Sequence, residues 1–175
     1  MKIDNFSQTL KDYAKDIRLN LGSVLTPEGA PGLTANQIYG IAYSCALHTR
    51  DAELIDAIKT DGASIIGDAE VNAAKIATTL MAMNNVYYRS IHLAENENLS
   101  KLPARLRMNG IAQPGIEKVD FELYCLAVSA IAGCGMCIKS HIAQAQKASI
   151  TVEGIQSTIR IASVIQAAAT AHAVN

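Results

Sequence analysis

The stretch Phe121 to His141, FELYCLAVSAIAGCGMCIKSH, is rich in small and aliphatic residues and contains a Cys-x-x-Cys motif. It shows no alternation of apolar and polar residues, so it is predicted to be helical, with Gly133 ending one helix. The next helix then begins near Cys134, which places Cys134 and Cys137 in its first turn. The thiols are therefore predicted to lie on helices and not in the βαβ unit that commonly carries this motif.

The remainder of the 175-residue chain favours the same fold class. Half of its residues are hydrophobic, there is no Trp, and the two Phe leave Ala, Ile and Leu to form the core. This composition is typical of helices packed closely through small side chains. No β-alternation of useful length occurs, so we predict a single all-α domain over residues 1–175.

Local patterns predict where several helices begin and end. Apolar residues at helical spacing predict one amphipathic helix from Phe6 to Leu21. Thr34 and Gln37 have the spacing of a capping box at the start of a long helix. Asp120 is predicted to be the N-cap of the helix that carries Glu122.

The chain also resembles itself when it is shifted by 85 residues. In this ungapped register Ala63-Ser64-Ile65 matches Ala148-Ser149-Ile150, and several further residues agree. The match predicts two similar helical halves related by a pseudo-twofold axis. The halves are residues 34–92 and 119–175. Because Thr49 then pairs with Cys134, the first half has the scaffold without the chemistry.

Charge and hydropathy exclude several classes of partner. Fifteen Lys and Arg against sixteen Asp and Glu leave a net charge of −1, with no dense basic block to follow a phosphate backbone, so nucleic acid is not expected. The N-terminus is charged where a signal peptide needs an apolar core, and no run approaches the ~18 apolar residues of a membrane span. We expect a cytoplasmic protein with no membrane partner, whose cysteines are thiols.

The residues around the motif suggest an activated dithiol. A helix N-terminus stabilises an anion and lowers a thiol pKa from about 8.5, so at least one cysteine is expected to be partly thiolate at pH 7. His141 follows Cys137 by one turn and can accept a thiol proton, while Glu122 can hold the imidazole. Such a pair can attack a peroxide or exchange with another disulfide, and the spacing does not choose between them.

Other interpretations of these residues remain. The pair Cys134 and Cys137 is also half of a zinc site, but structural zinc sites usually use two close pairs, and there is no second pair here. Glu122 by itself also fits a solvated acid at a helix start. The two other cysteines are predicted to be buried small hydrophobes, and the three other histidines to serve surface or core packing. These additional candidate ligands are Cys45, Cys125, His48, His92 and His172.

Taken with further stretches, the motif resembles the AhpD alkylhydroperoxidase family, within the carboxymuconolactone decarboxylase-like superfamily. The resemblance is carried by the Glu, Cys-x-x-Cys and His pattern over 121–141 and extends over nearly the whole chain. It includes YAKDIRLNL near the start, MNNVYYR at 83–89, LRMN at 106–109 and the stretch from Ala112 to Ile116. The resemblance implies an AhpD-like all-helical fold, usually a homotrimer, and an antioxidant lipoyl-dependent peroxidase acting on organic hydroperoxides.

The resemblance also assigns roles to individual residues. Cys137 matches the peroxide-attacking cysteine that becomes a sulfenic acid, and Cys134 matches the resolving cysteine and proton donor with which it forms the redox disulfide. Glu122 and His141 match the proton relay. The resemblance implies no bound metal, haem or flavin.

The implied partners are an AhpC-type peroxiredoxin, which the family reduces, and an electron donor. The donor is the dihydrolipoyl group of a 2-oxoacid dehydrogenase acyltransferase, which dihydrolipoamide dehydrogenase reduces again. No metal ligand or cofactor-binding residue is therefore expected in this chain.

One position departs from the family pattern. Well-known members have a His immediately before the second cysteine, where this chain has Met136. The departure leaves two alternatives open: a dithiol electron carrier without its own peroxidase activity, or a non-redox decarboxylase-like or binding protein on the same scaffold. Met136 is also a candidate apolar contact for a lipoyl arm.

Overall fold

The computed structural model describes residues 1–175 and contains helices and no strands, which confirms the all-α prediction. None of its helices is both long and apolar enough to cross a membrane. A short 3-10 helix, Asp12–Ala14, accompanies ten α-helices. These are α1 Lys2–Thr9, α2 Lys15–Val24, α3 Ala35–Thr49, α4 Ala52–Asp61, α5 Asp68–Leu93, α6 Glu97–Ser100, α7 Asn109–Ala112, α8 Lys118–Ala132, α9 Gly135–Lys147 and α10 Val152–Ala173.

Helix α8 lies at the centre of the molecule. All residues from Phe121 to Ser129 are buried, so this helix is covered on every side, as its lack of a polar face requires. Helices α3, α5, α9 and α10 pack around it. The helix that carries Glu122 is thus held by the core, which fixes the position of this carboxyl group.

The packing of α3 against α8 depends on a glycine. A Cβ atom on Gly40 would collide with the ring and hydroxyl of Tyr124. Tyr124 is completely buried and its hydroxyl has no hydrogen-bond partner. Gly40 therefore allows two helices to approach closely around a large side chain, in keeping with the small-residue packing predicted from composition.

The N-terminal segment differs from the single helix predicted over Phe6 to Leu21. Helix α1 ends at Thr9, and Leu10 has an extended conformation with its side chain buried in the core. The Leu10 carbonyl lies beyond the end of α1 and accepts a hydrogen bond from the Arg18 guanidinium. The prediction was wrong because burial of Leu10 outweighs the continuous helical pattern around it.

Of the two predicted helix starts, one is confirmed and one is wrong. The capping box of α3 is confirmed, since Thr34 Oγ1 accepts from Gln37 N at 3.2 Å and Thr34 N donates to Gln37 Oε1 at 2.9 Å. The cap assigned to Asp120 is wrong, because α8 already begins at Lys118. Asp120 instead accepts a 2.7 Å hydrogen bond from Gln37 Nε2 and ties the starts of α3 and α8 together. Burial raises the pKa of Asp120.

The two proposed halves contain the same order of elements. In each, a helix of the core ends at a left-handed residue, Arg50 or Gly133, and the next residue caps a second helix that leads to a long third one. Asp51 and Cys134 are therefore equivalent N-cap positions in the two halves. The ungapped sequence match instead aligns Thr49 with Cys134. The pseudo-twofold relation between the halves stays a prediction.

Candidate active site

The two thiols are presented by the turn between α8 and α9. Gly133 ends α8 with φ of 68°, a conformation that residues with a Cβ rarely adopt. The amide of Cys134 then donates to the Ser129 carbonyl at 3.2 Å, which closes the turn. The predicted break at Gly133 is confirmed, and it directs Cys134 back towards the core.

Cys134 is the N-cap of α9. Its Sγ accepts a hydrogen bond from the Cys137 amide at 3.4 Å, and the two Sγ atoms are 2.8 Å apart. Both cysteines are free thiols in this structure. A disulfide needs a separation of about 2.05 Å, so a small side-chain movement can close the bond. Cys134 is completely buried, whereas Cys137 keeps 7% of its surface exposed.

The surroundings of Cys137 affect the pKa of its thiol. Burial is the main reason that the pKa of Cys137 is raised to about 12, and the adjacent Cys134 thiol acts in the same direction. The backbone hydrogen bond at the helix start lowers this pKa, but by less. The raised pKa favours the thiol form of Cys137 in the reduced pair. The expectation that at least one of the two cysteines is partly ionised at pH 7 stays a prediction. A base has to remove the proton of Cys137 before this thiol can act as a nucleophile.

A base and its orienting partner lie close by. His141 Nδ1 is 2.7 Å from Glu122 Oε2, and both residues are buried. A carboxylate can only accept a hydrogen bond, so Nδ1 is the donor, and a neutral imidazole in this arrangement has its lone pair on Nε2. The structure thus pairs Glu122 with the histidine and does not leave it as a solvated acid. The arrangement is a carboxylate holding an imidazole in the tautomer that can accept a proton.

These residues share one cavity of about 420 Å³ between α5, α7, α8 and α9. Cys137, Glu122 and His141 all line it, while Cys134 lies behind Cys137 and is not part of its wall. The other wall residues are Met81, Asn84, Tyr88, Met108, Ile111, Lys118, Met136, Ser140 and Gln144. About half of the wall is apolar, as expected for a site that takes an organic molecule.

Sequence reasoning assigned no role to several of these wall residues. Asn84 and Tyr88 belong to the MNNVYYR stretch, and Met108 to the LRMN stretch, both of which were noted only as carriers of the resemblance. The available signal was that Asn84 continues the helical spacing of Ala77 and Met81 on the buried face of α5, because a buried polar side chain needs a reason. Met136, which was singled out, does line the cavity and remains 43% exposed.

The remaining cysteines and histidines lie apart from this cavity. Cys45 and Cys125 are completely buried, as predicted, and burial raises the pKa of both thiols. His172, for which no partner was predicted, lies 2.7 Å from Asp51 Oδ2 and so joins α10 to the cap of α4. No group of three His, Cys, Asp or Glu side chains is placed to hold a metal ion.

Comparisons with known proteins identify relatives over nearly the whole chain. Residues 97–175 match the carboxymuconolactone decarboxylase family. An alkyl hydroperoxide reductase AhpD from Brucella suis is 48% identical over 171 residues, covering 98% of this chain and 96% of the relative. One from Rhodospirillum centenum is 48% identical over 170 residues, covering 97% and 90%. One from Rhizorhabdus wittichii is 46% identical over 173 residues, covering 99% and 98%.

Proposed function

The chain belongs to the alkyl hydroperoxide reductase AhpD family of peroxide-reducing oxidoreductases, and we propose that it reduces organic hydroperoxides with the dithiol of Cys134 and Cys137. One observation carries the proposal. The two Sγ atoms are 2.8 Å apart, and the more exposed thiol opens into the cavity that also holds the Glu122–His141 pair. Nucleophile, resolving thiol and proton relay therefore occupy a single site.

The first step consumes the peroxide. His141 Nε2 accepts the proton of the Cys137 thiol, and Glu122 stabilises the imidazolium that forms. The thiolate attacks the terminal oxygen of ROOH, and the O–O bond breaks. The alkoxide takes the proton from His141 and leaves as ROH, with Cys137 now a sulfenic acid. Cys137 is oxidised by two electrons and the peroxide is reduced by two.

The second step closes the disulfide. Cys134 gives up its proton through His141 and its sulfur attacks Cys137 Sγ. The hydroxyl group of the sulfenic acid leaves with that proton as water. The short Sγ–Sγ distance and the complete burial of Cys134 favour this step over further oxidation of the sulfenic acid.

The third step restores the dithiol. A dihydrolipoyl group suits the apolar part of the cavity wall, where Met136 and Met108 are adaptable contacts for an alkyl arm. Two thiol–disulfide exchanges transfer two electrons and two protons from the donor to the chain. The proposed donor is the dihydrolipoyl group of a 2-oxoacid dehydrogenase acyltransferase, and no cofactor stays bound to this chain.

Three further properties belong to the proposal. An AhpC-type peroxiredoxin is the proposed protein partner, whose disulfide the same dithiol reduces. The proposed assembly is a homotrimer. A dithiol that must return to its reduced form in every cycle suits a reducing compartment, so the proposed location is the cytoplasm.

A thiol count tests the proposal. Reduced protein is treated with one equivalent of cumene hydroperoxide or of oxidised lipoamide, and free thiols are counted after denaturation. We expect two of the four thiols to be lost with either reagent, and the same loss in the Cys45→Ser variant. A Cys134→Ser/Cys137→Ser variant should lose none. Full catalytic activity in that double variant would favour a non-redox function.

The alternative of a pure dithiol carrier has its own support. The pKa of Cys137 is raised, and Met136 stands where a second imidazole would assist proton removal. A carrier loses two thiols with oxidised lipoamide but not with peroxide. The Met136→His variant separates the cases further: it should gain peroxide reactivity if a missing base limits the protein, with little change in exchange with lipoamide.

A further inference from the structure

Helix α5 directs two adjacent asparagines into the protein, and they differ in their surroundings. Asn85 Oδ1 accepts a 3.0 Å hydrogen bond from Ser129 Oγ, so this side chain joins α5 to α8. Its Nδ2 has no partner, but Asn85 does not line the cavity. Asn84 Oδ1 is also buried without a partner, and Asn84 does line the cavity that Cys137 lines.

An unpartnered buried carbonyl oxygen is costly. Leaving it unsatisfied costs about 1–3 kcal/mol, and most buried polar atoms in proteins avoid this state. The cost is accepted at sites where a ligand supplies the missing hydrogen bond. Asn84 is only 4% exposed, and its Oδ1 is shielded from water. No hydrogen bond fixes the amide of Asn84, so rotation about the Cβ–Cγ bond can turn Oδ1 towards the cavity.

Asn84 is also distinct from the other polar residues of the cavity wall. Lys118, Ser140 and Gln144 are exposed and form its outer part. The Glu122 carboxylate is already bonded to His141. Tyr88 also lines the cavity but is only half-buried. Asn84 is therefore the buried amide acceptor of the wall that Cys137 also lines.

On the basis of the proposed function, we infer that Asn84 Oδ1 accepts the hydrogen bond of the substrate's O–H group and orients the peroxide for attack by Cys137. A hydroperoxide has one O–H group, and it is on the terminal oxygen that the thiolate attacks. Anchoring that proton on Asn84 fixes the terminal oxygen and directs the alkyl group towards the apolar wall. This is a substrate-contacting role that the carboxylate–imidazole relay does not fill.

The chemistry balances without a proton moving through Asn84. The Cys137 thiolate and HO–OR give Cys137–S–OH and RO⁻, as the S–O bond forms and the O–O bond breaks. The alkoxide receives its proton from His141, and the transferred oxygen keeps its own hydrogen. Asn84 continues to accept that hydrogen bond from the sulfenic acid until water leaves.

The role is confined to one half of the catalytic cycle. A dihydrolipoyl donor and the protein disulfide exchange sulfur for sulfur and contain no peroxide O–H group. Removing the acceptor should therefore slow oxidation by peroxide and leave reduction by dihydrolipoamide unchanged. A side chain that only supports the fold would affect both.

The test uses Asn84→Leu, which keeps the approximate size and removes the acceptor. Single-turnover oxidation by cumene hydroperoxide and reduction of the oxidised protein by dihydrolipoamide are timed on the same preparation. We expect oxidation to slow about tenfold, the loss of one hydrogen bond, and reduction to stay within about twofold. The Asn85→Ala variant, which breaks the bond to Ser129 outside the cavity, should show no such selectivity.

Other outcomes overturn the inference. Equal slowing of both half-reactions makes Asn84 structural, and an unchanged oxidation rate removes it from the site. If Asn84→Leu does not fold, Asn84→Ser is measured in the same way, and its shorter side chain should give the same selective loss. A wild-type protein that does not react with peroxide contradicts the proposed function itself, whereas unaffected Asn84 variants contradict only the role of Asn84.

Discussion

His141 Nδ1 and Glu122 Oε2 lie 2.7 Å apart across the interface of α8 and α9, and both side chains are buried. The carboxylate has no proton to give, so it selects the tautomer with a free lone pair on Nε2. In Glu122→Gln, the side-chain NH₂ can donate to Nδ1 and favour the opposite tautomer. We therefore expect peroxide turnover to fall by about 10²-fold or more.

The same variant needs a stability measurement. Gln retains the size of Glu and a hydrogen bond to His141, so its free energy of unfolding in urea should change far less than its activity. A variant with normal turnover would reduce Glu122 to a structural role, and one that loses activity only by unfolding would do the same.

The two cysteines should fail in different ways when each is replaced. Cys137→Ser is expected to abolish peroxide turnover, because the nucleophile is gone. Cys134→Ser should still consume one equivalent of peroxide and then stop as a sulfenic acid, since the resolving sulfur is missing. Mass spectrometry after trapping with a sulfenic-acid reagent identifies the modified residue. A sulfenic acid at Cys134 in the Cys137→Ser variant would make Cys134 the peroxide-attacking cysteine.

The raised pKa of Cys137 gives a prediction for pH dependence. Because this pKa is about 12, the thiolate fraction of Cys137 at pH 7 is very small. As the pH rises towards the pKa, the fraction increases roughly tenfold per pH unit. Alkylation by iodoacetamide, which does not require the relay, should accelerate steadily from pH 7 to 10. Peptide mapping then locates the label on Cys137. A rate that levels off near pH 7 would mean that the thiol is already ionised there.

Gly40 should tolerate no larger residue. The added methyl group of Gly40→Ala meets the Tyr124 ring, which is completely buried and cannot move aside freely. Overpacking of this kind usually costs about 1–3 kcal/mol. Chemical unfolding provides the measurement, with Gly22→Ala as the control because a Cβ there meets nothing within 4 Å. Equal stability in the two variants would show that α3 and α8 can separate without cost.

The hydroxyl group of Tyr124 should be removable without loss of stability. Its hydroxyl is buried and has no hydrogen-bond partner, so the folded state bears the cost of removing that group from water. We expect Tyr124→Phe to be neutral or to increase the free energy of unfolding, despite the complete burial of the residue. A clear loss of stability would show that the hydroxyl has a partner such as an ordered water molecule.

Much of the site follows from the spacing of its residues. A glycine before two closely spaced cysteines predicted both the end of α8 and the position of Cys134 at the start of α9. The helical repeat also predicted that His141 would share a face with Cys137. These features depend on neighbouring residues along the chain, and local rules describe such features well.

Features that depend on the tertiary structure could not be predicted in this way. Leu10 leaves its helix because the core takes its side chain, and Asp120 binds Gln37 of a distant helix. The pKa of Cys137 is set by burial, which a helix-dipole argument does not include. Asn84 entered the site from a helix whose sequence offered no chemical motif.

The complete burial of Cys134 restricts the order of events at this site. In the proposed cycle, oxidant and reductant both react at Cys137 Sγ, because the other sulfur is not accessible. They must therefore alternate, and steady-state kinetics should follow a ping-pong scheme in which a large excess of dihydrolipoamide or of peroxide competes with the other substrate.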